Sequence, residues 1–219
     1  KKARTEIIHA DIKIGNRCNY ACAMCHPGDS SLIFNKYKAN PDNLFVKEYT
    51  KNYPDFMDAN LNTNYRSTSL QMLDKVLATN TVRSIKLLGG EPLIEQEFLQ
   101  RLADVPDVTK QKLSLFFTTN GSVNLAHTLT KLGNYKAFNI ALSLEGTGKI
   151  QEYIRKRSNW KQIESNVEEF LDANNPTWTI SVHHVVQALS LHGIKHLIGW
   201  CNNLDINLTY QNLVKPDYL

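Results

Sequence analysis

The sequence has no long hydrophobic run, no block of basic residues and few cysteines. No stretch approaches the ~18–20 apolar residues of a transmembrane helix, so we expect no membrane association. The densest basic stretch is Arg155-Lys156-Arg157, and the formal charge is only +4, so no patch for direct nucleic-acid binding is expected. The first residues lead straight into a strand-like run, which predicts no secretion signal.

Length and composition indicate a globular protein with one core. The chain has 219 residues, of which 42% are hydrophobic and 21% charged, and it shows no internal repeat. We therefore expect residues 1–219 to form a single domain. The chain stops at Leu219 without an obvious terminator, so we expect a core domain from which a C-terminal extension is missing.

Strand-like and helix-like runs alternate along the chain, which predicts an α/β fold with a parallel sheet. Amphipathic segments near 67–79, 94–104, 123–132, 149–156, 160–172 and 189–200 lie between the strand-like runs. The six predicted strands are Ile8–Ile14, Val82–Leu88, Leu113–Thr118, Phe138–Leu144, Trp178–Val186 and Ile206–Leu213.

The parity of the strands favours a partial barrel over a doubly wound sheet. In the fourth strand Asn139 and Ser143 share one face, while Phe138, Ile140 and Leu142 share the other. A doubly wound sheet is covered by helices on both faces and should be apolar on both. The repeated polar face predicts a partial (βα)6 TIM-like barrel, with helices outside and the active site at the carboxyl ends of the strands.

Residues 26–66 form the least regular part of the sequence. They are rich in Asn and aromatic residues and show no clear period. A long loop in a compact domain is usually functional or mobile. We therefore expect an irregular insertion that acts as a lid.

Three of the four cysteines lie within eight residues, directly after the first strand. Cys18, Cys22 and Cys25 have the spacing C-x3-C-x2-C. Clustered cysteines without a secretion signal indicate metal rather than disulfides. Three thiolates can hold three irons of a [4Fe–4S] cubane and leave the fourth iron open, as in a catalytic site.

Other interpretations of these cysteines remain open at this point. The site could bind zinc completed by His26 or Cys201, in a module without catalytic activity. Cys22 to His26 also matches the C-x-x-C-H pattern of c-type haem attachment. The three residues could simply be free structural cysteines, and the chain a decayed barrel that binds a partner.

The cysteine loop, together with Gly89-Gly90-Glu91-Pro92 after the second strand, resembles the radical S-adenosylmethionine (SAM) superfamily. The resemblance extends from the first to the sixth strand and implies a SAM-dependent iron–sulfur enzyme. It implies that Cys18, Cys22 and Cys25 ligate a [4Fe–4S] cluster whose open iron binds SAM. Reductive cleavage of SAM would then give a 5′-deoxyadenosyl radical that removes a hydrogen atom from the substrate.

The resemblance also implies how SAM is held. Gly89, Gly90 and Glu91 would bind its amino group, and Ser143 and Arg155 its carboxylate. Ser143-Leu-Glu145-Gly resembles the Ser-x-Asp-Gly segment of the family, with Glu145 in place of Asp. We expect further SAM or substrate contacts from Asn120, Glu145 and His183.

Within the superfamily, the pattern is most like members with a twitch or SPASM extension, which modify peptides or biosynthetic intermediates. A compact enzyme similar to 7-carboxy-7-deazaguanine synthase is the alternative. The resemblance implies a small-molecule or peptide substrate and an external electron donor of the flavodoxin or ferredoxin type. Because reduced clusters are oxygen-labile, we expect a cytoplasmic location.

Overall fold

Six parallel strands form the central sheet of the protein. The computed structural model describes residues 6–57 and 59–213, with the side chains of residues 56–65 left out; both ends of the predicted domain, 1–5 and 214–219, lie outside this part. The sheet has the order β1-β3-β4-β5-β7-β8, and all five neighbouring pairs are parallel. These strands are β1 (His9–Lys13), β3 (Ser84–Leu88), β4 (Ser114–Thr119), β5 (Ala137–Ser143), β7 (Trp178–Val186) and β8 (Asn207–Asn212).

Two short strands form a separate antiparallel sheet, β2 (Ala21–Cys22) with β6 (Arg155–Lys156). Helices occupy most of the connections between the strands. They are α1 (Ser31–Ala39), α2 (Leu44–Asn52), α3 (Ala59–Leu77), α4 (Gln96–Ala103), α5 (Asp107–Lys110), α6 (Leu125–Leu132), α7 (Gly148–Ile154), α8 (Trp160–Asp172) and α9 (Ile194–Asn203).

The six predicted strands are confirmed, each within two residues at either end. The two faces of the sheet also differ as the parity predicts. In β5, Phe138, Ile140 and Leu142 are buried, whereas Asn139 and Ser143 are half-buried. The apolar face packs on the helices and forms the main core. The fold is the predicted α/β partial barrel, with a polar inner face.

The segment 26–66 differs from the prediction, because it is largely helical. It contains α1, α2, a 3-10 turn at Pro54–Met57 and the start of α3, and the side chains of 56–65 lie outside the described part. Side chains of Ser30 and Asn43 cap the first two helices. Tyr37 packs against Tyr49 with ring centroids 5.2 Å apart. Tyr37 and Tyr49, two of the aromatic residues of this segment, belong to a small second core with Ile33 and Val46.

Within residues 6–57 and 59–213, no helix is both long enough and apolar enough to cross a bilayer.

Candidate active site at the carboxyl edge of the sheet

The cysteine loop is fixed to the protein by hydrogen bonds on both of its sides. It leaves β1 at Gly15, whose φ of +129° lies in the region that favours glycine. The Asn16 side chain donates to the carbonyl of Pro27 at 2.9 Å. The backbone N–H of Ser31, at the start of α1, donates to the Asn16 carbonyl at 2.7 Å. These two hydrogen bonds of Asn16 therefore join the beginning of the cysteine loop to its end, at the start of α1.

The three thiols of the loop lie in different environments. Cys22 is buried, Cys18 and Cys25 are half-exposed, and none forms a disulfide. Burial raises the pKa of Cys18 to about 11, and a hydrogen bond to Cys22 together with burial raises the pKa of Cys25. The hydrogen bond from Cys25 lowers the pKa of Cys22 to about 7, and the nearby Arg155 charge acts in the same direction. Cys22 is thus the first of the three to become a thiolate.

The donor set fits a cubane cluster. In the described part of the chain, no three His, Cys, Asp or Glu side chains are grouped closely enough to hold one metal ion. A cubane needs the thiolates further apart, because each cysteine binds a different iron. Backbone N–H···S bonds suit such a cluster, and the Tyr20 N–H already donates to Cys18 Sγ at 3.4 Å.

The two residues considered for completing a zinc site are both engaged elsewhere. His26 Nε2 lies 2.8 Å from Asp29 Oδ2, and its Nδ1 accepts from the Gly28 N–H at 3.1 Å. Cys201 is buried in the main core on α9. Neither side chain is therefore oriented as a fourth ligand by its present contacts.

The Gly-Gly-Glu-Pro turn after β3 packs directly on the cysteine loop. Gly89 and Gly90 have φ values of +88° and +44°. A Cβ at Gly89 would lie 2.7 Å from the carbonyl oxygen of Gly15, and one at Gly90 would lie 2.1 Å from that of Arg17. The Glu91 N–H donates to the same Arg17 oxygen at 2.8 Å. Only glycine fits at these positions, so the two motifs that lie far apart in the sequence form one unit.

The carboxylate of Glu91 is fully buried and accepts hydrogen bonds from three groups of the protein. Oε1 accepts from Leu93 N at 3.1 Å and from Thr119 Oγ1 at 2.7 Å, and Oε2 accepts from Asn120 N at 2.7 Å. Burial raises the pKa of Glu91, although these donors oppose the rise. Glu91 therefore joins the ends of β3 and β4, a contact that the sequence did not reveal.

Arg155 and Glu145 bind each other across the site. Arg155 Nη2 donates to Glu145 Oε1 at 2.6 Å, and Nη1 donates to Cys22 Sγ at 3.7 Å. The helix that was expected to include Arg155 ends at Ile154, and Arg155 lies in β6, where it pairs with Cys22 of β2. Both partners of the ion pair are buried.

His184, which the sequence patterns did not single out, contacts the carboxylate oxygen of Glu145 that Arg155 does not bind. His184 Nδ1 lies 3.3 Å from Glu145 Oε2 and 3.0 Å from the carbonyl oxygen of Leu144, so this nitrogen carries the proton. Its Nε2 lies 3.3 Å from Ser190 Oγ. Burial alone would raise the pKa of Glu145, but Arg155 and His184 hold it below its usual value. Parity could have found His184, because it shares the buried face of β7 with Val182.

The other predicted polar residues lie at the same edge of the sheet. Ser143 pairs in register with His183, and both are half-exposed. His183 Nδ1 lies 3.1 Å from Thr209 Oγ1. Asn120 Nδ2 donates to Asn19 Oδ1 at 2.9 Å and lies 3.9 Å from Cys18 Sγ. The structure thus joins Asn120 to the cysteine loop and leaves Ser143 and His183 on the open polar face.

Comparison with known proteins identifies a family for most of the chain. The family model described as the Radical SAM superfamily matches residues 12–201. The GTP 3',8-cyclase of Microcystis aeruginosa (strain NIES-843 / IAM M-2473) is 25% identical over 167 residues, which cover 74% of this chain and 43% of the relative.

Solved structures share the fold at low sequence identity. Native anSMEcpe with bound AdoMet superposes with a TM-score of 0.65 at 19% identity, covering 97% of this chain and 54% of that one. Streptococcus suis SuiB bound to S-adenosylmethionine gives 0.62 at 15% identity, covering 96% and 41%. Methylornithine synthase (PylB) gives 0.55 at 11% identity, covering 95% and 54%. The chain thus spans about half the length, or less, of the proteins that it resembles.

Proposed function

The chain belongs to the radical SAM superfamily, and from that membership we propose that it starts radical chemistry on a substrate by cleaving SAM reductively. Membership makes it a SAM-dependent iron–sulfur enzyme, and relatives of the same fold carry bound SAM. A cluster held by Cys18, Cys22 and Cys25 would supply, when reduced, the electron for breaking the C5′–S bond of SAM, and the resulting 5′-deoxyadenosyl radical would take a hydrogen atom from the substrate.

The observation that carries the proposal is the packing of the cysteine loop on the Gly-Gly-Glu-Pro turn. Arg17, one residue before Cys18, gives its carbonyl to the Glu91 N–H, and Gly90 lies against the same oxygen. This contact places three thiols and a glycine turn at the carboxyl edge of a parallel sheet, where barrel enzymes bind their substrates. In our proposal Cys18, Cys22 and Cys25 hold the cluster.

The residues around the thiols would bind SAM. Gly89, Gly90 and Glu91 form the turn beside the loop, and we assign them to the amino group of SAM, with backbone carbonyls as acceptors because the Glu91 oxygens already accept three hydrogen bonds. Ser143 is half-exposed and can donate to the SAM carboxylate.

Arg155 would supply a second donor to that carboxylate. Its Nε is buried and has no hydrogen-bond partner within the described part of the chain. Asn120, directly after β4, and His183, within β7, would contact SAM or substrate. Glu145, which the sequence suggested for the same purpose, would act through Arg155.

We propose that residues 1–219 form one core domain. We propose a peptide as the first substrate class to test. Native anSMEcpe has been solved with a Cp18Cys peptide, and SuiB with its precursor peptide SuiA. The second candidate is a purine nucleotide, because the GTP 3',8-cyclase is similar in sequence. An external flavodoxin- or ferredoxin-type donor in the cytoplasm would supply the electron in either case.

The decisive experiment measures 5′-deoxyadenosine under anaerobic conditions. The protein is reconstituted with iron and sulfide, and SAM and dithionite are added. We expect about four irons per chain and 5′-deoxyadenosine from the wild type. The Cys18→Ala/Cys22→Ala/Cys25→Ala variant should give neither, and Cys201→Ala should match the wild type. One zinc per chain without a cluster would contradict the proposal. Added peptides or GTP that raise 5′-deoxyadenosine formation would separate the two substrate classes.

A further inference from the structure

We propose that Arg155, held in place by Glu145, donates a hydrogen bond to the Cys22 sulfur in the loaded protein and thereby raises the reduction potential of the cluster. The inference rests on the proposed function, because it takes Cys22 as a cluster ligand. It assigns Glu145 the task of a positioning residue for Arg155.

The backbone, as well as the side chains, fixes the position of Arg155 relative to Cys22. Cys22 of β2 and Arg155 of β6 are direct partners in the small antiparallel sheet. The Ala23 N–H donates to the carbonyl of Ile154 at 2.8 Å, which continues the same pairing. Side chains of opposed residues in an antiparallel pair lie on the same face. The guanidinium therefore reaches Cys22 Sγ, with Nη1 at 3.7 Å, without leaving its strand.

The guanidinium of Arg155 is also anchored on the side away from Cys22. Nη2 donates to Glu145 Oε1 at 2.6 Å. The other carboxylate oxygen accepts from the Val185 N–H at 3.0 Å and lies 3.3 Å from His184 Nδ1. These contacts hold Glu145 from β7, so the carboxylate cannot turn away and the guanidinium remains directed at the sulfur.

The charges of Arg155 and Glu145 also affect how easily a cluster bound at Cys22 would be reduced. Arg155 is 9% exposed and Glu145 is 0% exposed, so water screens their charges poorly. The guanidinium is nearer to the sulfur than the carboxylate is, because it bonds both and lies between them. Reduction adds negative charge to a cluster, and hydrogen bonds to its sulfurs together with a neighbouring cation stabilise that charge. A hydrogen bond from Arg155 should therefore make the cluster easier to reduce.

The test is a redox titration of the reconstituted protein, followed by the electron paramagnetic resonance signal of the reduced cluster. In Arg155→Met the midpoint potential should be more negative than in the wild type. Arg155→Lys keeps the charge but loses the fork of donors, so its midpoint potential should lie between those of the wild type and Arg155→Met. Arg157→Met is the matched control, because Arg157 is exposed two residues along the chain, and it should titrate like the wild type. Equal potentials for Arg155→Met and the wild type would overturn the inference.

The positioning role of Glu145 needs a second readout, because loss of a carboxylate also changes the local charge. Pulsed electron paramagnetic resonance, on protein whose arginines carry the heavy isotope of nitrogen, should detect a nitrogen nucleus coupled to the reduced cluster. That coupling should be lost in Arg155→Lys and weakened in Glu145→Ala. A full coupling in Glu145→Ala would overturn the positioning role.

The outcomes separate this inference from the proposed function. A wild-type protein that assembles no cubane would contradict both. A cubane that cleaves SAM, with a potential indifferent to Arg155→Met and Arg155→Lys, would leave the proposed function intact and remove only this inference. If Arg155→Met fails to fold, the comparison of Arg155→Lys with Arg157→Met decides the question.

Discussion

Gly90 lies against the carbonyl oxygen of Arg17 so closely that a Cβ at Gly90 would be 2.1 Å from that oxygen. The contact joins the turn after β3 to the cysteine loop after β1, two segments separated by more than 60 residues along the chain. The cysteine loop therefore depends on the absence of a side chain at a distant position.

Gly90→Ala is expected to weaken this contact. The Cβ would clash with backbone, and the φ of +44° would add strain of ~1–2 kcal/mol. The matched control is Gly148→Ala, where φ is +55° but no atom lies within 4 Å of the new Cβ. We expect Gly90→Ala to lower the free energy of unfolding in urea by ~1–3 kcal/mol more than the control, and to lower the iron content. Equal losses in the two variants would contradict the clash.

Glu91→Gln is expected to destabilise the protein even without SAM. One amide oxygen cannot accept from both sides, so an NH2 group would face the Asn120 N–H or the donors Leu93 N and Thr119 Oγ1. An unsatisfied buried donor costs ~1–3 kcal/mol. Thermal and urea unfolding of the apo protein would measure the loss. Glu97→Gln, whose side chain is 63% exposed, should change stability little, and similar losses in both would argue against the scaffold role.

Cys22 should be the first thiol to ionise in the apo protein. Its pKa is lowered to about 7, mainly by the hydrogen bond from Cys25, whereas burial raises the pKa of Cys18 and of Cys201 to about 11. Ultraviolet thiolate absorbance should show a step near neutral pH that is absent in Cys22→Ser and moves to higher pH in Arg155→Met. Cys201→Ser should keep the step unchanged. A step that persists in Cys22→Ser would contradict the assignment.

Asp29 should stabilise the loop after the cysteines in a pH-dependent way. Burial alone would raise its pKa, but His26 and Lys13 lower it to about 2. A folded-state pKa below the unfolded value of ~3.9 gives stability that is present above about pH 4 and lost as the pH falls towards 2. Asp29→Asn should therefore cost ~0.5–1 kcal/mol near neutral pH, after allowance for solvent screening, and little at the acid end.

Denaturant unfolding of the apo protein across this pH range measures that difference. Asp42→Asn is the matched control, because Asp42 pairs with Lys47 at 3.1 Å but is 95% exposed. A penalty for Asp29→Asn that stays constant down to the lowest pH would show that the ion pairs do not carry the stability.

The strands of the sheet, and the edge of the sheet at which the candidate site lies, could be predicted from the sequence alone. Strand-like runs marked all six long strands, and the alternation of polar and apolar residues in the fourth strand marked its two faces, since a side-chain period of two follows from strand geometry alone. The cysteine spacing and the Gly-Gly-Glu-Pro turn pointed to the carboxyl edge, because residues that end parallel strands meet there. His184 was within reach of the same parity rule, and the caps Ser30 and Asn43 could have revealed the first two helices of the 26–66 segment.

Which of these side chains bind each other depends on the tertiary packing and could not be predicted from the sequence. The pairing of Cys22 with Arg155, and of Arg155 with Glu145, depends on two short strands that are far apart in the sequence but pair with each other in the fold. Two residues per strand give no periodic signal, and the contact exists only once the sheet has brought the loops together. The same holds for Glu91, which follows the turn after β3 in the sequence. Its three donors are Leu93 N in the next turn, Thr119 Oγ1 at the end of β4 and the N–H of Asn120. Local patterns specify elements, whereas the partners of a buried charge are specified by the packing that excludes water around it.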